Sequence, residues 1–280
     1  MSKIDFHVHI TPPKISANWR GYAEKEPYFS LLSHSPKNKF ASVPDIIAAL
    51  DAAGFDKAVV FGFAFQDAGL CRYVNDYVIA SVTQYPDRLI GFMVVPPGGA
   101  EPEKEVERCH AAGLRGVGEL FPDGQGFDIA DARQTAALAS ACMYFNIPLL
   151  IHTNEPVGHQ YPGKTNTRLR DLERFIENNP GLKIVLAHWG GGLLFYETIP
   201  EMREKCRNVY YDTAASPLLY DPSVYRAACA LGLSEKILFG SDFPLLPHAR
   251  YIDELAASGV SPLERERILG GNALELLNER

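Results

Sequence analysis

Short apolar segments alternate with amphipathic helical patterns along the chain. Nearly continuous apolar runs are typical of strands covered on both faces, as the strands of parallel sheets are. The predicted strands are 4–9, 57–63, 88–95, 115–120, 147–152, 183–188, 208–213 and 236–242. The predicted helices between them are 42–54, 70–85, 102–112, 131–145, 168–178, a segment ending near 205, and 221–232. This alternation predicts a parallel sheet with helices packed against it.

The number of strand–helix units predicts the fold class. Eight units point to a closed α/β barrel, the (β/α)8 TIM barrel, formed as one domain over residues 1–280. A doubly wound open sheet is the structural alternative, but such sheets normally have a glycine-rich turn after the first strand. Here that position holds His7-Val8-His9. Closing helices are predicted at 249–258 and from Ser261, which begins a segment with capping-box spacing.

A long segment without periodicity follows the first predicted strand. Residues 10–41 show neither helical nor strand spacing, so we expect a long loop after strand 1. The segment contains Trp19, Tyr28 and Phe29, and its aromatic content argues against disorder. Loops this long inside a compact domain usually have a function. We interpret the segment as a lid or a substrate-binding loop.

Composition and charge narrow the classes of function. Apolar residues make up 46% of the chain and charged residues 22%, with a net charge of −7 and no block of like charges. Such a chain is not expected to bind nucleic acid or an anionic membrane. No signal-peptide pattern and no apolar run near 18 residues is found, so we expect a soluble, cytoplasmic protein. Five widely spaced cysteines without a C-x-x-C pair predict buried thiols in a reducing compartment.

The first predicted strand contains two histidines with strand spacing. In a regular strand Asp5, His7 and His9 share one face, because side chains two residues apart point the same way. Two imidazoles about 6–7 Å apart on such a face can share one divalent metal ion. A pair of this kind is also common as ordinary polar positions of a half-exposed strand, so the remaining ligands must come from elsewhere in the chain.

Polar residues stand at the carboxyl ends of the later strands. In a TIM barrel these ends meet on one face, where the chemistry takes place. A polar side chain at the end of an apolar run is costly unless a partner satisfies it. We therefore expect the side chains at these ends to converge on one cavity. They are Glu119, His152, His188, Asp212 and Asp242.

These motifs, in this order, resemble the amidohydrolase superfamily of metal-dependent TIM-barrel enzymes. The resemblance covers nearly the whole chain and is closest to the branch that includes aminocarboxymuconate-semialdehyde decarboxylase and the resorcylate-type decarboxylases. Four motifs carry it: Asp5-Phe-His7-Val-His9, Leu150-Ile-His152, Leu186-Ala-His188-Trp-Gly-Gly and Phe239-Gly-Ser-Asp242-Phe-Pro. The ordered set is specific, whereas each motif alone is not.

The resemblance implies a ligand set and a set of roles. His7, His9, His152 and Asp242 would bind one divalent metal, most often zinc. His188 would stand near the metal as an acid–base or electrostatic group, and Asp242 would also accept a proton. Three imidazoles and a carboxylate suit Zn²⁺, and Mn²⁺, Fe²⁺ or Co²⁺ fit as well. Such a metal lowers the pKa of bound water to about 7 and polarises a carbonyl group.

Glu119 has several interpretations. In some branches of the superfamily a carboxylate at the end of strand four bridges two metals, so Glu119 and His188 can be ligands of a second ion. Alternatively Glu119 orients a ligand histidine or contacts substrate. We interpret Asp212 as a structural or supporting residue.

Substrate contacts are predicted from two loops. Trp19 and Arg20 lie in the long first loop, where an arginine can clamp a substrate carboxylate. His159 and Lys164 lie in the polar loop after His152 and can line the same cavity. Each of the four also fits an ordinary surface position.

Three functions follow from these residues. The first hypothesis is a metal-dependent hydrolase that acts on an amide, a lactone or another carbonyl-type bond of a small molecule. The alternative is a non-oxidative decarboxylase of an unsaturated or aromatic carboxylic acid, which would use the same metal ligands. An arginine held over the metal would favour this acid substrate. The third is a non-catalytic metal- or ligand-binding barrel. Related enzymes are often dimeric, which makes a homodimer an expectation.

Overall fold

Eight parallel strands form the centre of the molecule. The computed structural model describes residues 2–35 and 39–278. Each strand pairs with the next along the chain, in the order β1 to β8. The strands are β1 Ile4–His9, β2 Lys57–Phe61, β3 Leu89–Met93, β4 Gly116–Leu120, β5 Leu149–Ile151, β6 Ile184–Leu186, β7 Val209–Asp212 and β8 Ile237–Leu238.

The last strand returns to the first and closes the barrel. Phe6 N donates to Phe239 O at 2.7 Å, and Asp242 N donates to His7 O at 2.9 Å. His9 N donates to Phe243 O at 2.8 Å, beside a parallel bridge between Val8 and Phe243. The prediction of a (β/α)8 TIM barrel is confirmed. This closure places the segment after β8 directly beside the histidines of β1.

Helices connect the strands and cover the outside of the barrel. The helices between β1 and β5 are Pro13–Ala17, Trp19–Ala23, Pro27–Ser33, Val43–Ala53, Ala68–Gln84, Pro102–Ala111, Pro122–Gln125 and Ala132–Tyr144. Those between β5 and β8 are Leu169–Asn178, Ala187–Gly190, Leu193–Thr198, Pro200–Lys205, Cys206–Asn208, Ser216–Leu219 and Ser223–Ala230. The closing helices are His248–Ala257, Pro262–Glu266, Arg267–Gly271 and Asn272–Leu277. Within the described ranges, every helix is too short or too polar to cross a lipid bilayer.

The long connection after β1 contains more regular structure than its sequence predicts. Three short helices lie in it, and two of them begin at a proline, Pro13 and Pro27. Helices of five to seven residues are too short to show a repeating apolar stripe, which is why periodicity misses them. The buried Glu26 carboxylate ties this connection to the segment after β2, accepting hydrogen bonds from Gln66 N at 2.8 Å and Asp67 N at 3.0 Å.

The side-chain alternation of β1 differs from the prediction. Ile4 and Phe6 pack in the cluster that fills the barrel, but Val8 packs in the outer cluster between strands and helices. The pairing of β1 with β2 shifts register between Asp5 and Val8, and such irregularities re-aim side chains. The prediction that Asp5 shares the face of the two histidines is therefore wrong. Its carboxyl group contacts Ser241 and His248 instead.

Candidate active site

Polar side chains from six strand ends meet at the carboxyl end of the barrel. His7 and His9 come from β1, Glu119 from β4 and Asp212 from β7. His152 directly follows β5, whereas His188 lies two residues beyond β6 and Asp242 four residues beyond β8. The ring nitrogens and carboxylate oxygens form two groups within which all ligand atoms lie within 4.8 Å of one another. The structure thus brings together all the residues for which the sequence predicted a role at the strand ends.

The first group joins the two ends of the barrel sheet. His9 Nε2 lies 3.3 Å from His7 Nε2 and 3.2 Å from Asp242 Oδ1. His7 Nε2 lies 3.7 Å from the same carboxylate oxygen. Three donor atoms of the kinds that bind transition metals therefore face one small space.

Glu119 connects this group to the second one. Its Oε2 lies 3.5 Å from His7 Nε2 and 3.6 Å from His9 Nε2. Its Oε1 lies 3.0 Å from His152 Nδ1 and 3.4 Å from His188 Nε2. His188 Nε2 and His152 Nδ1, the two imidazole nitrogens of the second group, are 3.1 Å apart. One carboxylate thus faces four imidazole nitrogens, two with each oxygen.

In His7, His188 and His152, the ring nitrogen that points away from Glu119 donates to an oxygen atom. His7 Nδ1 contacts Asp212 Oδ2 at 2.8 Å, His188 Nδ1 contacts Ala214 O at 3.0 Å, and His152 Nε2 contacts Gly163 O at 2.8 Å. In a neutral ring the other nitrogen then presents a lone pair. Where these inner nitrogens carry no proton, lone pairs of imidazoles and carboxylates face one another. A bound cation removes that repulsion, so these residues fit a divalent metal ion.

The electrostatics of the group favour the ionised carboxylates. Burial acts to raise the pKa of Glu119, but His7 and His152 outweigh it and hold this pKa well below its usual range. Asp242 behaves alike: burial opposes ionisation, yet the hydrogen bond to His9 and the charge of His7 lower its pKa to about 2. Both oxygen ligands are therefore ionised and available to a cation at neutral pH.

Burial and the neighbouring carboxylates shift the pKa values of the imidazoles in opposite directions. Burial lowers the pKa of His152 despite the neighbouring Glu119. Burial also acts against the charged form of His188, but its hydrogen bond and charge interaction with Glu119 prevail and raise its pKa to about 9. The pKa of His7 is likewise raised, because Asp212 and Glu119 outweigh the effect of burial.

Asp212 supports two of the histidines from below. The residue is fully buried, and its Oδ2 contacts His7 Nδ1. Its Oδ1 accepts hydrogen bonds from His188 N at 2.9 Å and Ala214 N at 3.0 Å. The carboxyl group fixes the ring orientation of His7 and the backbone of His188 together. Carboxylates in such outer positions set the tautomer of a ligand histidine.

A cavity of about 400 Å³ opens above the polar group. His9, Glu119, His152, His188 and Asp242 line its floor. Its walls are mostly aromatic and aliphatic, and include Tyr28, Phe29, Leu32, Phe63, Phe121, Leu218 and Leu245. An apolar wall around a few convergent polar groups is typical of a small-molecule site.

Two of the wall aromatics also hold site histidines in place. Phe121 stacks on His152, with ring centroids 3.7 Å apart, and Tyr28 packs against Phe121 at 4.1 Å. Phe63 stacks on His9 at 5.0 Å. These contacts fix the orientation of the His152 and His9 rings at the floor of the cavity.

The four predicted substrate contacts fall in different places. His159 lines the cavity, but Trp19, Arg20 and Lys164 are not among the residues that form its wall. Arg20 is exposed and stacks on Trp19, with 4.5 Å between the guanidinium carbon and the ring centroid. Lys164 donates to the backbone oxygens of Val157 and His159. These local contacts satisfy the two cations on their own loops.

Sequence reasoning also missed residues that the structure places at the site. Lys39 lines the cavity, and no arginine does so among the residues described. Lys39 lies in the segment without periodicity, and nothing in the sequence marks it, whereas Tyr28 and Phe29 were among the aromatic residues on which the substrate-binding interpretation of that segment rested. Phe121 directly follows β4 and could have been found by the strand-end argument that found Glu119.

Comparison with known proteins establishes the family. The family model described as amidohydrolase matches residues 4–278. The chain therefore belongs to the amidohydrolase family, and the resemblance seen in its motifs is confirmed.

Two curated relatives of the chain are decarboxylases. It is 26% identical to 6-methylsalicylic acid decarboxylase of Penicillium expansum, over 99% of this chain and 96% of the relative. It is 25% identical to 2-amino-3-carboxymuconate-6-semialdehyde decarboxylase of Dictyostelium discoideum, over 98% and 91%. The solved 5-carboxyvanillate decarboxylase of Novosphingobium aromaticivorans, complexed with manganese and a nitrobenzoic acid, shares the fold with a TM-score of 0.78, at 17% identity over 99% of this chain and 96% of that one.

The first functional hypothesis is corrected by this comparison. The prediction of a hydrolase is wrong, because both of these curated relatives are decarboxylases, which matches the alternative. The error has a chemical cause. Both hypotheses were built on the same histidines and carboxylates at the strand ends, so those residues could not distinguish hydrolysis from decarboxylation.

Proposed function

We propose that this enzyme is a metal-dependent non-oxidative decarboxylase of an aromatic carboxylic acid. The observation that carries the proposal is that both curated relatives, aligned over nearly the whole chain, are decarboxylases. The cavity supports an aromatic substrate, because aromatic and aliphatic side chains surround a floor of imidazoles and carboxylates. A non-aromatic unsaturated acid of similar size is the nearest alternative substrate. A small carboxylic acid is thus the expected partner. The cytoplasmic location, the homodimer and the single domain over residues 1–280 stay predictions.

We infer that one divalent cation is held at the floor of the cavity. His7, His9 and Asp242 form one donor group, whereas His152, the fourth predicted ligand, lies in the other donor group with Glu119 and His188. Glu119 faces both groups, so a second cation would have Glu119, His152 and His188 as ligands. Manganese is the first metal to test, since it is bound in the carboxyvanillate decarboxylase. Zinc, iron and cobalt suit the same donors.

The reaction needs one carbon–carbon bond broken and one carbon–hydrogen bond formed. The electron pair of the broken bond stays on the ring carbon, a proton joins that carbon, and carbon dioxide leaves. A bound cation supplies positive charge that attracts the acid and stabilises developing negative charge. His188 Nε2 faces the cavity floor and is the group we propose to hold the proton. Asp242, on the same floor, stays ionised as a proposed metal ligand, and His188 takes up a proton from water before the next turnover.

The apolar wall contributes to the same chemistry. A carboxylate enclosed among Tyr28, Phe63 and Phe121 loses hydration, whereas uncharged carbon dioxide does not need it. Such exclusion of water strengthens the electrostatic contacts at the floor. The case for an acid substrate does not depend on Arg20, which lies off the cavity wall. Lys39 is the lysine on that wall within the described part of the chain.

A substrate panel tests the proposed reaction. Manganese-loaded protein is incubated with 2-hydroxybenzoic, dihydroxybenzoic and methylsalicylic acids, and carbon dioxide and phenol are both measured. We expect equimolar release from at least one acid. The methyl esters of the same acids are matched controls, because they cannot lose carbon dioxide directly. Opening of lactones or amides in a parallel panel, without carbon dioxide release from any acid, would refute the proposal.

Replacing Asp212 by asparagine tests the support beneath the metal site. Asp212→Asn keeps the shape of the side chain but weakens the acceptor that orients His7. We expect manganese affinity to fall about 10–100-fold, the usual effect of removing such a partner. Titration with manganese, following the free ion by electron paramagnetic resonance, measures it. Asp221→Asn is the matched control, because Asp221 is an exposed residue that caps Ser223 N. Equal affinity in the two variants would contradict the role of Asp212.

A further inference from the structure

A second buried polar group lies behind the candidate metal site. Asp5 is fully buried on β1, and both of its carboxyl oxygens are occupied. Oδ1 accepts hydrogen bonds from Ser241 N at 2.9 Å and His7 N at 3.2 Å. Oδ2 accepts from Ser241 Oγ at 2.5 Å and from His248 Nε2 at 2.7 Å. Asp5, Ser241 and His248 are not among the residues that line the cavity.

Ser241 connects this group to the backbone that carries Asp242. Its Oγ donates to Asp5 and accepts a hydrogen bond from Phe243 N at 3.1 Å. Asp242 lies between Ser241 and Phe243, and its backbone φ of 55° is in the left-handed region. An L-residue holds that conformation only when its surroundings determine it. β8 ends at Leu238, and beyond it backbone hydrogen bonds from Asp242 N to His7 O and from His9 N to Phe243 O also hold this segment beside β1.

His248 connects the same carboxyl group to the closing helices. It is the first residue of the helix His248–Ala257, and only 4% of its surface is exposed. Its ring lies 5.5 Å from the rings of both Phe55 and Phe243. The contact between Nε2 and Asp5 therefore links three elements: the first strand, the segment after the last strand and a closing helix.

We infer that Asp5, Ser241 and His248 act together to position Asp242 for metal binding. The three side chains hold residues 241–243 against β1, so that the Asp242 carboxylate stays 3.2 Å from His9 Nε2. None of the three touches the cavity or the proposed ligand atoms with its side chain. They are positioning residues, and their role rests on the proposed function only through the assignment of Asp242 as a metal ligand.

A pair of substitutions at His248 tests this inference. His248→Leu removes the hydrogen bond to Asp5, whereas His248→Gln keeps a donor at a similar distance. Both lose the ring contacts with Phe55 and Phe243, so the difference between them reports the hydrogen bond. We expect manganese affinity to fall about tenfold or more in His248→Leu. The glutamine variant should bind within about threefold of the unchanged protein, in line with a retained neutral hydrogen bond.

The controls separate positioning from general stability. His110→Leu is the matched control, because His110 packs on Phe145 in the helix Pro102–Ala111, away from the barrel mouth. Circular dichroism and thermal unfolding establish how much of each variant is folded. A folded His248→Leu protein with unchanged manganese affinity would overturn the inference. If that variant does not fold, Ser241→Ala replaces it. A folded Ser241→Ala protein that binds manganese normally would also overturn the inference. Manganese binding about tenfold weaker in this variant would support it.

The same measurements distinguish this inference from the proposed function. Manganese affinity is measured without substrate, so a protein that binds manganese but releases no carbon dioxide refutes the function and leaves the positioning role testable. Conversely, carbon dioxide release together with normal affinity in His248→Leu refutes the positioning role alone. Absence of any divalent metal binding by the unchanged protein would refute the ligand assignment and the positioning role together.

Discussion

Replacing His7 and His9 by alanine is expected to abolish metal binding at the group that they form with Asp242 and to lower carbon dioxide release about 10³-fold or more. The two rings contribute two of the three atoms of the first donor group, with Asp242 as the third. Asp242 is then the one remaining donor of that group, since His152 belongs to the group around Glu119 and His188. Loss of the cation removes several kcal/mol of charge stabilisation, and each 1.36 kcal/mol corresponds to a factor of ten in rate.

The measurement combines metal analysis with the carbon dioxide assay. Purified protein loaded with manganese should contain about one equivalent, or two if Glu119 bridges a second ion. The matched control is the double variant His34→Ala/His110→Ala, which removes two histidines outside the cavity. Retention of the full metal content by His7→Ala/His9→Ala would refute the site assignment, and loss of metal in the control would show that the measurement does not report this site.

The barrel itself could be predicted because its signal is repeated and local. Each parallel strand is buried on both faces, so its sequence is an apolar run, and each connecting helix has an apolar stripe. Single boundaries differ by a few residues, as at β8, where the predicted strand 236–242 is reduced to Ile237–Leu238. Beyond Leu238 the chain no longer belongs to β8, and Asp242 adopts a left-handed backbone conformation. The apolar pattern of the sequence does not encode this local conformation.

The polar floor could be predicted because TIM-barrel topology assigns one end of every strand to one face. What the sequence left open was the contact pattern. Glu119 had three interpretations, and the structure places its two oxygens against two pairs of imidazoles. Asp212 was interpreted as a supporting residue, and it lies directly beneath His7 and His188.

The cavity wall and the buried group behind β1 could not be predicted in the same way. Tyr28, Phe63 and Phe121 come from three separate connections, and only the folded chain brings them together. His248 looks like an ordinary first residue of a helix, since its partner Asp5 is 243 residues away. The shift of alternation within β1 sends Asp5 away from the histidines, although its spacing suggests a shared face.

Hydrolysis and decarboxylation differ in what must happen after the substrate is bound, and this points to His188. Hydrolysis needs a base to activate water, whereas decarboxylation needs an acid that delivers a proton to carbon. An imidazole beside an ionised carboxylate is suited to hold that proton. His188 Nε2 lies 3.4 Å from Glu119 Oε1, while its Nδ1 is engaged by Ala214 O. The inner nitrogen is therefore the atom that faces the reaction.

Replacing His188 by asparagine is expected to lower carbon dioxide release about 10²–10⁴-fold while manganese remains bound. Asparagine tolerates the left-handed backbone, which matters because His188 has a φ of 56°. Its amide can still donate to Ala214 O, but it has no atom at the position of Nε2. The variant thus removes the proposed proton donor and leaves His7, His9 and Asp242 in place.

Steady-state kinetics and metal analysis of His188→Asn, with His110→Asn as the matched control, check this expectation. The fall should be in kcat, because the proton is delivered after the acid is bound, and KM should change little. Carbon dioxide release within about threefold of the unchanged enzyme would contradict a role in proton transfer, since general acid catalysis contributes at least about 10². Loss of manganese from the asparagine variant would instead make His188 a ligand, and would favour the arrangement in which Glu119, His152 and His188 bind a second ion.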